Sequence, residues 1–327
     1  FDAVLLIAFG GPNAPAEVRP FLETVTRGRP MSLARMEQVI HQYELVGGIS
    51  PLSAIVHRQA EALCRCLHKQ GLDLPVFAGM RHWHPFLADT FKRMAESGIR
   101  RAIGVIMATH HCQASCGHYK QEVLRARRSL VEQGLHDIEI CYVDGWHDDP
   151  RFIKVITDKI RKAMDSLTPH AGQVRLVFTA HSIPVSMARS SRYVEEIQTT
   201  AGLVAEQLGH SDWSLVYQSR SGRPEDPWLE PDIGDYIRTE RTRGLNAAVL
   251  VPIGFLADHI EVIYDLDHKA AAVAQETGLI MGRAETVNDH PLFIEMLADL
   301  TSRVYRRYLR FPPLPICGPD LLSGGFR

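Results

Sequence analysis

A chain of 327 residues is long enough for two compact lobes or one large α/β domain, and 45% hydrophobic with 23% charged residues is the composition of a folded globular protein. Lys+Arg 36 against Asp+Glu 38 leaves a formal net charge of −2, which offers no basic footprint for a nucleic-acid backbone. No run of about 18 apolar residues occurs, and the longest, over residues 247–255, is strand-sized, so no segment reads as a transmembrane helix.

In chain order, apolar runs begin at Val4 (VLLIAF), Pro75 (PVFAGM), Arg101 (RAIGVIMAT), Ile138 (IEICYV), Val174 (VRLVFTA), Trp213 (WSLVYQS) and Ala247 (AAVLVPIGF). They alternate with amphipathic stretches of about 12 to 20 residues, the rhythm of βαβ units. Runs apolar at nearly every position belong to strands covered on both faces, so parallel, doubly wound sheets are expected. VLLIAFGGP and VRLVFTAHSIP both run from a strand through a short turn to proline, which suggests two similar α/β lobes with a cleft between them. The expected division is residues 1–148, residues 149–290, and a helix and tail over 291–327 packing back on the first lobe. GWHDDP at 145–150 marks the hinge, and the Pro/Gly-rich tail from Phe311 is expected to be extended.

Six cysteines are too few for a disulfide scaffold in a chain this long, and Cys64 and Cys66 fall inside an amphipathic helical pattern. A reducing, cytoplasmic setting is expected. The chain opens at Phe1 rather than Met, which leaves an upstream targeting segment open.

Chemistry concentrates at strand ends. His181, in FTAHSIP, is a titratable imidazole directly after a buried strand, where open α/β sheets hold ligands; the plainer reading is a turn histidine beside a helix cap at Ser182. In GFLADHIEVIYDLDH, Glu261, Asp265 and His268 stand at i, i+4 and i+7, one stripe of a helix on which neighbouring acids repel and suit proton transfer or a hard cation. The plainer reading there is a capping box of Asp258 and Glu261. The loop YQSRSGRPEDPWLEPDI carries Arg220, Arg223 and Trp228 and suits either a ligand clamp or a solvated connection. Gly10, Gly11 and Pro12 match no phosphate-loop pattern. THHCQASCGHY holds Cys112, Cys116 and three histidines, but one C-x-x-x-C without a second pair is a weak metal signal, and Tyr119 reads as an aromatic wall or hydroxyl donor. His82 and His84 in RHWHP read as a polar turn before a helix.

At these residues the chain resembles the ferrochelatase family, class I chelatases that insert ferrous iron into a porphyrin. The resemblance rests on AFGGP, YELVGGISPLS (from Tyr43), VFAGMRHWHP, the loop ending at Tyr119, TAHSIP, QSRSGRPEDPWLEPDI and VPIGFLADHIEVIYDLD. It implies that the macrocycle lies between two flavodoxin-like lobes, that His181 is the catalytic histidine, and that Glu261 is its partner across the cavity, with Asp265 continuing the acidic stripe. His181 and Glu261 are also implied as contacts of the Fe2+ substrate. Arg29, Arg35 and Ser50 are proposed propionate partners, and Tyr43, Tyr119, Phe255 and Trp228 further substrate contacts. QSRSG with PWLEPDI, and the hydrophilic NAPAEVRPFLETV, are most similar to soluble actinobacterial-type members acting on coproporphyrin III, with protoporphyrin IX as the alternative substrate. Some members hold a [2Fe-2S] cluster; here Cys116 matches the loop position and Cys317 is the one cysteine in the tail, so Cys112 or Cys141 would have to supply another ligand. Phe9 replaces a tyrosine that stands beside the metal in some members. A monomer is expected. Two rival readings are a cobalt or sirohydrochlorin chelatase and a non-catalytic two-lobed tetrapyrrole binder, the latter disfavoured because facing charges left unpaired are costly.

Overall fold

The computed structural model describes residues 1–28, 31–167, 172–223 and 225–310, and these form two parallel four-stranded sheets. The first contains β1 (Ala3–Ala8), β2 (Val76–Met80), β3 (Arg101–Ile106) and β4 (Glu139–Tyr142), in the order β2-β1-β3-β4. The second contains β5 (Val174–His181), β6 (Trp213–Gln218), β7 (Ala247–Val251) and β8 (Ile280–Arg283), in the order β6-β5-β7-β8. The seven apolar runs read from the sequence are β1 to β7. β8 was not among them, because its four residues IMGR are all only half-buried and give no apolar run.

Between β1 and β2 stand α1 (Val18–Val25), α2 (Leu33–Leu45) and α3 (Leu52–Lys69), followed further on by α4 (Leu87–Glu96), α5 (His118–Glu132) and α6 (Pro150–Asp165). The second sheet carries α7 (Val185–Arg189), α8 (Tyr193–Leu208) and α9 (Ile233–Thr242). A composite helix follows: α10 (Ile260–Val262), a π-helical stretch Ile263–Ala270, and α11 (Ala271–Thr277). The chain closes with α12 (Pro291–Arg310). Local chemistry sets several starts. Asp149 caps α6 by accepting from the Arg151 amide with Pro150 in the first turn, and Asp232 caps α9 through the Gly234 amide.

All six residues of β1 and all five of β7 are buried, each large aliphatic side chain contributing about 1.5–3 kcal/mol of transfer free energy. One apolar core crosses between the sheets, joining Val4 and Leu6 to Phe178 and Val249 through Phe152 of α6 and Phe293 and Leu297 of α12. The Phe152 and Phe293 rings meet at 6.2 Å. Separate clusters fill the space between β1/β3 and α4/α5, and between β5/β7 and α9/α11. α12 is fastened to the end of α3 by Gln70 donating to Asp299 at 2.8 Å, and to α6 by the Arg151–Asp299 ion pair.

In each sheet the strand order reverses beside the first strand, between β1 and β3 and between β5 and β7. That reversal opens a crevice at the carboxyl ends of the strands, the place where open α/β sheets receive ligands.

Candidate functional site

His181 is the last residue of β5, and Glu261 follows β7 by ten positions, so both stand at the crevice of the second sheet. Gly254 makes this approach close: a Cβ there would lie 2.7 Å from the Ala180 Cα, and the Gly254 amide donates to the Thr179 carbonyl at 3.1 Å. The loop after β7 is thereby laid against the end of β5.

The two side chains face one another, with His181 Nε2 and Glu261 Oε1 3.7 Å apart. That spacing is longer than a direct hydrogen bond, and it becomes attractive when the imidazole is protonated. His181 Nδ1 lies 2.5 Å from the Ser182 carbonyl. A carbonyl can only accept, so Nδ1 carries the hydrogen and Nε2 is left as the free base. The side chains are 30% and 41% exposed, so the pair opens to water rather than lying sealed in the core. Crowding at the crevice disfavours the His181 cation, but the charge of Glu261 and contacts to it, then the Ser182 carbonyl and Asp265, outweigh this and raise the imidazole pKa. Glu261 moves the opposite way: desolvation pushes its carboxyl up, but His181 and then His259 hold it well below the ordinary value. Asp265 is raised, chiefly by burial and also by Glu261, against the Ser219 hydrogen bond. Two acids on one stripe thus differ in proton affinity, an arrangement suited to passing protons.

Residues from both lobes converge on this pair. Tyr43 on α2, Tyr119 on α5 and Tyr193 on α8 are all buried; burial raises each phenol, and the Glu261 charge adds to it in all three. Tyr193 also donates from its hydroxyl to the His181 carbonyl at 3.0 Å, bracing the end of β5. Phe255 packs edge-on to His259 at 5.1 Å on the loop leading to Glu261. Trp228 pairs through its backbone with Pro184, just beyond His181.

Arg35 is exposed on α2, with its guanidinium on Gln38 at 2.7 Å. Ser50 is buried beneath Gly11, where a Cβ would come within 2.7 Å of its hydroxyl, and its amide donates to Pro12. Arg29 and Cys317 lie outside the described residues. In the long loop, Arg220 donates to the Arg223 and Asp226 carbonyls and Arg223 pairs with Asp226, so both guanidinium groups help to fold the loop itself.

Two readings of the acidic helix are corrected. The helix start is capped by His259, whose ring accepts from the Glu261 amide at 3.2 Å, and not by an Asp258–Glu261 capping box. Asp258 instead pairs with Arg283 and accepts from Asn288. His268 does not join the stripe: the π-helical turn changes the residue period, and His268 is exposed, stacked on Tyr264 at 6.3 Å.

A [2Fe-2S] cluster requires four ligands, normally thiolates. Cys112 and Cys116 are close, each sulfur approaching the Ser115 hydroxyl, at 3.4 and 3.8 Å. Cys141 instead stands on β4 beside the Tyr308 hydroxyl, and burial raises the Cys116 thiol. Among the described residues no group of three or more His, Cys, Asp or Glu side chains can hold a metal ion. The described residues do not fit such a cluster.

Four features escaped the sequence reading. His82 is no polar turn: it is buried, its ring 4.5 Å from that of Phe9, and burial followed by Arg81 and His118 lowers its pKa to about 3. His259 is the helix cap, and its pKa too is lowered by burial. Gln218 and Ser219, inside the quoted QSRSG, contact the acidic helix directly. Glu196 on α8, 1% exposed, ties the lobes together by accepting from the His111 amide at 2.8 Å and the His111 ring at 3.0 Å, with Arg192 at 3.5 Å. Only its position four after Arg192 hinted at a role. Glu196→Ala leaves the His111 donors without their acceptor, so we expect a loss of about 1–3 kcal/mol in unfolding free energy, seen as a lower urea midpoint at unchanged slope. An unchanged midpoint contradicts the role of this contact.

No described helix is long and apolar enough to cross a membrane. SirB from Bacillus subtilis with Fe3+ superposes with a TM-score of 0.56 at 12% identity, covering 93% of this chain and 94% of that one, a likeness of fold. Sequence similarity goes much further. The coproporphyrin III ferrochelatase of Mycolicibacterium smegmatis is 38% identical over 324 residues, covering 98% of this chain and 94% of that protein. A ferrochelatase of Rhodopirellula baltica is 37% identical over 320 residues, covering 98% and 90%. The sequence model of the family described as Ferrochelatase matches residues 1–304. A match of that extent, with relatives aligned over almost their full length, makes this chain a member of the ferrochelatase family of metal chelatases.

Proposed function

We propose that the chain inserts Fe2+ into coproporphyrin III, with His181 as the base that removes pyrrole protons. The observation that carries this reading is the His181 ring itself: Nδ1 is committed to the Ser182 carbonyl, and Nε2 faces Glu261 across 3.7 Å. Metal insertion requires the loss of two pyrrole N–H protons while the entering cation sheds water. His181 Nε2 accepts a proton, and the Glu261 carboxylate stabilises the imidazolium so formed. Glu261 also offers a hard oxygen to the ferrous substrate, suited to a partly hydrated cation. Asp265, with its raised proton affinity, holds protons further along the helix. Tilting the pyrrole nitrogens out of plane draws on binding energy from the carboxylate-bearing rim.

Coproporphyrin III carries more carboxylates than protoporphyrin IX. Two features support it as substrate: several relatives bear that name, and the α1 segment is polar on its outer side, with Arg19 paired to Glu37. Arg35, exposed on α2, is the described cation proposed to meet a propionate.

The test is anaerobic incubation of the purified protein with Fe2+ and either tetrapyrrole, followed by absorbance. We expect metallation of coproporphyrin III with kcat/KM at least about tenfold above that for protoporphyrin IX, a transition-state preference of roughly 1.4 kcal/mol. Preference for protoporphyrin IX contradicts the substrate assignment. Binding of both without metallation contradicts the enzyme reading.

A further inference from the structure

Gln218 ends β6 and Ser219 follows it, and between them they contact the backbone beside His181, the Glu261 backbone and the Asp265 carboxylate. The Gln218 backbone carbonyl accepts from the Ser182 amide at 2.8 Å, next to His181. The Gln218 side chain, 1% exposed, donates from Nε2 to the Glu261 carbonyl at 2.7 Å. The Ser219 hydroxyl then donates to Asp265 Oδ2 at 2.5 Å. This contact reaches Asp265 on the π-helical stretch Ile263–Ala270, one turn after Glu261.

Ser219 adopts φ +61°, one of two non-glycine residues with positive φ among those described. A left-handed conformation is unfavourable for a residue with a Cβ, and glycine would adopt it freely. A side chain kept at such a position points to use of its functional group. Among the described residues, the hydroxyl's partner is the Asp265 carboxylate.

We propose that Ser219 is a positioning residue for the metallation reaction, its hydroxyl fixing the Asp265 carboxylate in register with Glu261 while Gln218 fixes the Glu261 backbone. This inference rests on the reading of Asp265 as part of the proton path.

Ser219→Gly removes the hydroxyl without opposing the backbone, and Ser219→Asn keeps a donor on a residue that tolerates positive φ. Both are assayed anaerobically with Fe2+ and coproporphyrin III, alone and combined with Asp265→Asn. We expect kcat to fall about tenfold in Ser219→Gly with KM for the porphyrin unchanged within about twofold, to recover at least half in Ser219→Asn, and to fall no further when Ser219→Gly is added to Asp265→Asn. Should Ser219→Gly fail to fold, Ser219→Ala takes its place in the same cycle. A slow Asp265→Asn beside a Ser219→Gly at the wild-type rate overturns this inference alone. Equal losses from Ser219→Gly in both backgrounds also overturn it. Asp265→Asn at the wild-type rate overturns the proton-path reading and this inference with it.

Discussion

His181→Ala lowers kcat for iron insertion by about a thousandfold while the dissociation constant for coproporphyrin stays within about tenfold, because a proton acceptor acts on the transition state more than on ground-state contacts. The structure makes this substitution a clean probe. The imidazole is held by a bond to the Ser182 carbonyl and by attraction to Glu261, and the end of β5 is braced independently by Tyr193 on the His181 carbonyl and by Gln218 on the Ser182 amide. Loss of the ring leaves those backbone contacts in place. Stopped-flow absorbance under anaerobic conditions separates binding from metallation. Turnover within tenfold of wild type contradicts the assignment of His181 as the base.

Glu261→Gln is the second large effect, a fall of at least about a hundredfold, or roughly 2.7 kcal/mol in barrier, at nearly unchanged melting temperature. The cap observed on this helix sharpens the expectation. Because His259 accepts from the Glu261 amide, the Glu261 carboxylate makes no capping bond, and glutamine forfeits nothing at the helix start. What it loses is the negative charge that stabilises the His181 cation. Asp265→Asn is expected to be slowed less, since its nearest described partner is Ser219 rather than His181. A Glu261→Gln variant that metallates at the wild-type rate contradicts the pairing and leaves His181 without its proposed partner.

Much of this was legible in the sequence, for identifiable reasons. Strands buried on both faces write themselves as unbroken apolar runs, so β1 and β7 could be read directly, and the residue ending each run could be placed at the crevice. His181 and Glu261 were found in this way, and motif resemblance supplied their pairing. β8 escaped because a short, half-buried strand has no such run. The helix after β7 misled in its period: a stripe counted at 3.6 residues per turn includes His268, whereas the π-helical stretch Ile263–Ala270 leaves it exposed. The cap misled because Asp258 and Glu261 fit the usual spacing, while tertiary partners Arg283 and Asn288, some 25 and 30 residues on, draw Asp258 away. His82 looked polar for the same reason. Its neighbours in sequence are a turn, but its neighbour in space is Phe9 from the end of β1.

The central claim is that one carboxylate tunes one imidazole for proton removal. Only neutral His181 can accept a pyrrole proton, so kcat/KM should rise with pH through the pKa of the free enzyme's imidazole. Burial lowers that pKa, but Glu261 first and then the Ser182 carbonyl and Asp265 raise it above the ordinary 6.5, so the acid limb of wild type should lie above pH 6.5. Removing the Glu261 charge removes the largest raising influence. The direct measurement is the pH dependence of kcat/KM for anaerobic metallation in wild type and in Glu261→Gln, whose limb is expected at lower pH on a profile reduced about a hundredfold. Coincident acid limbs in the two proteins contradict the account.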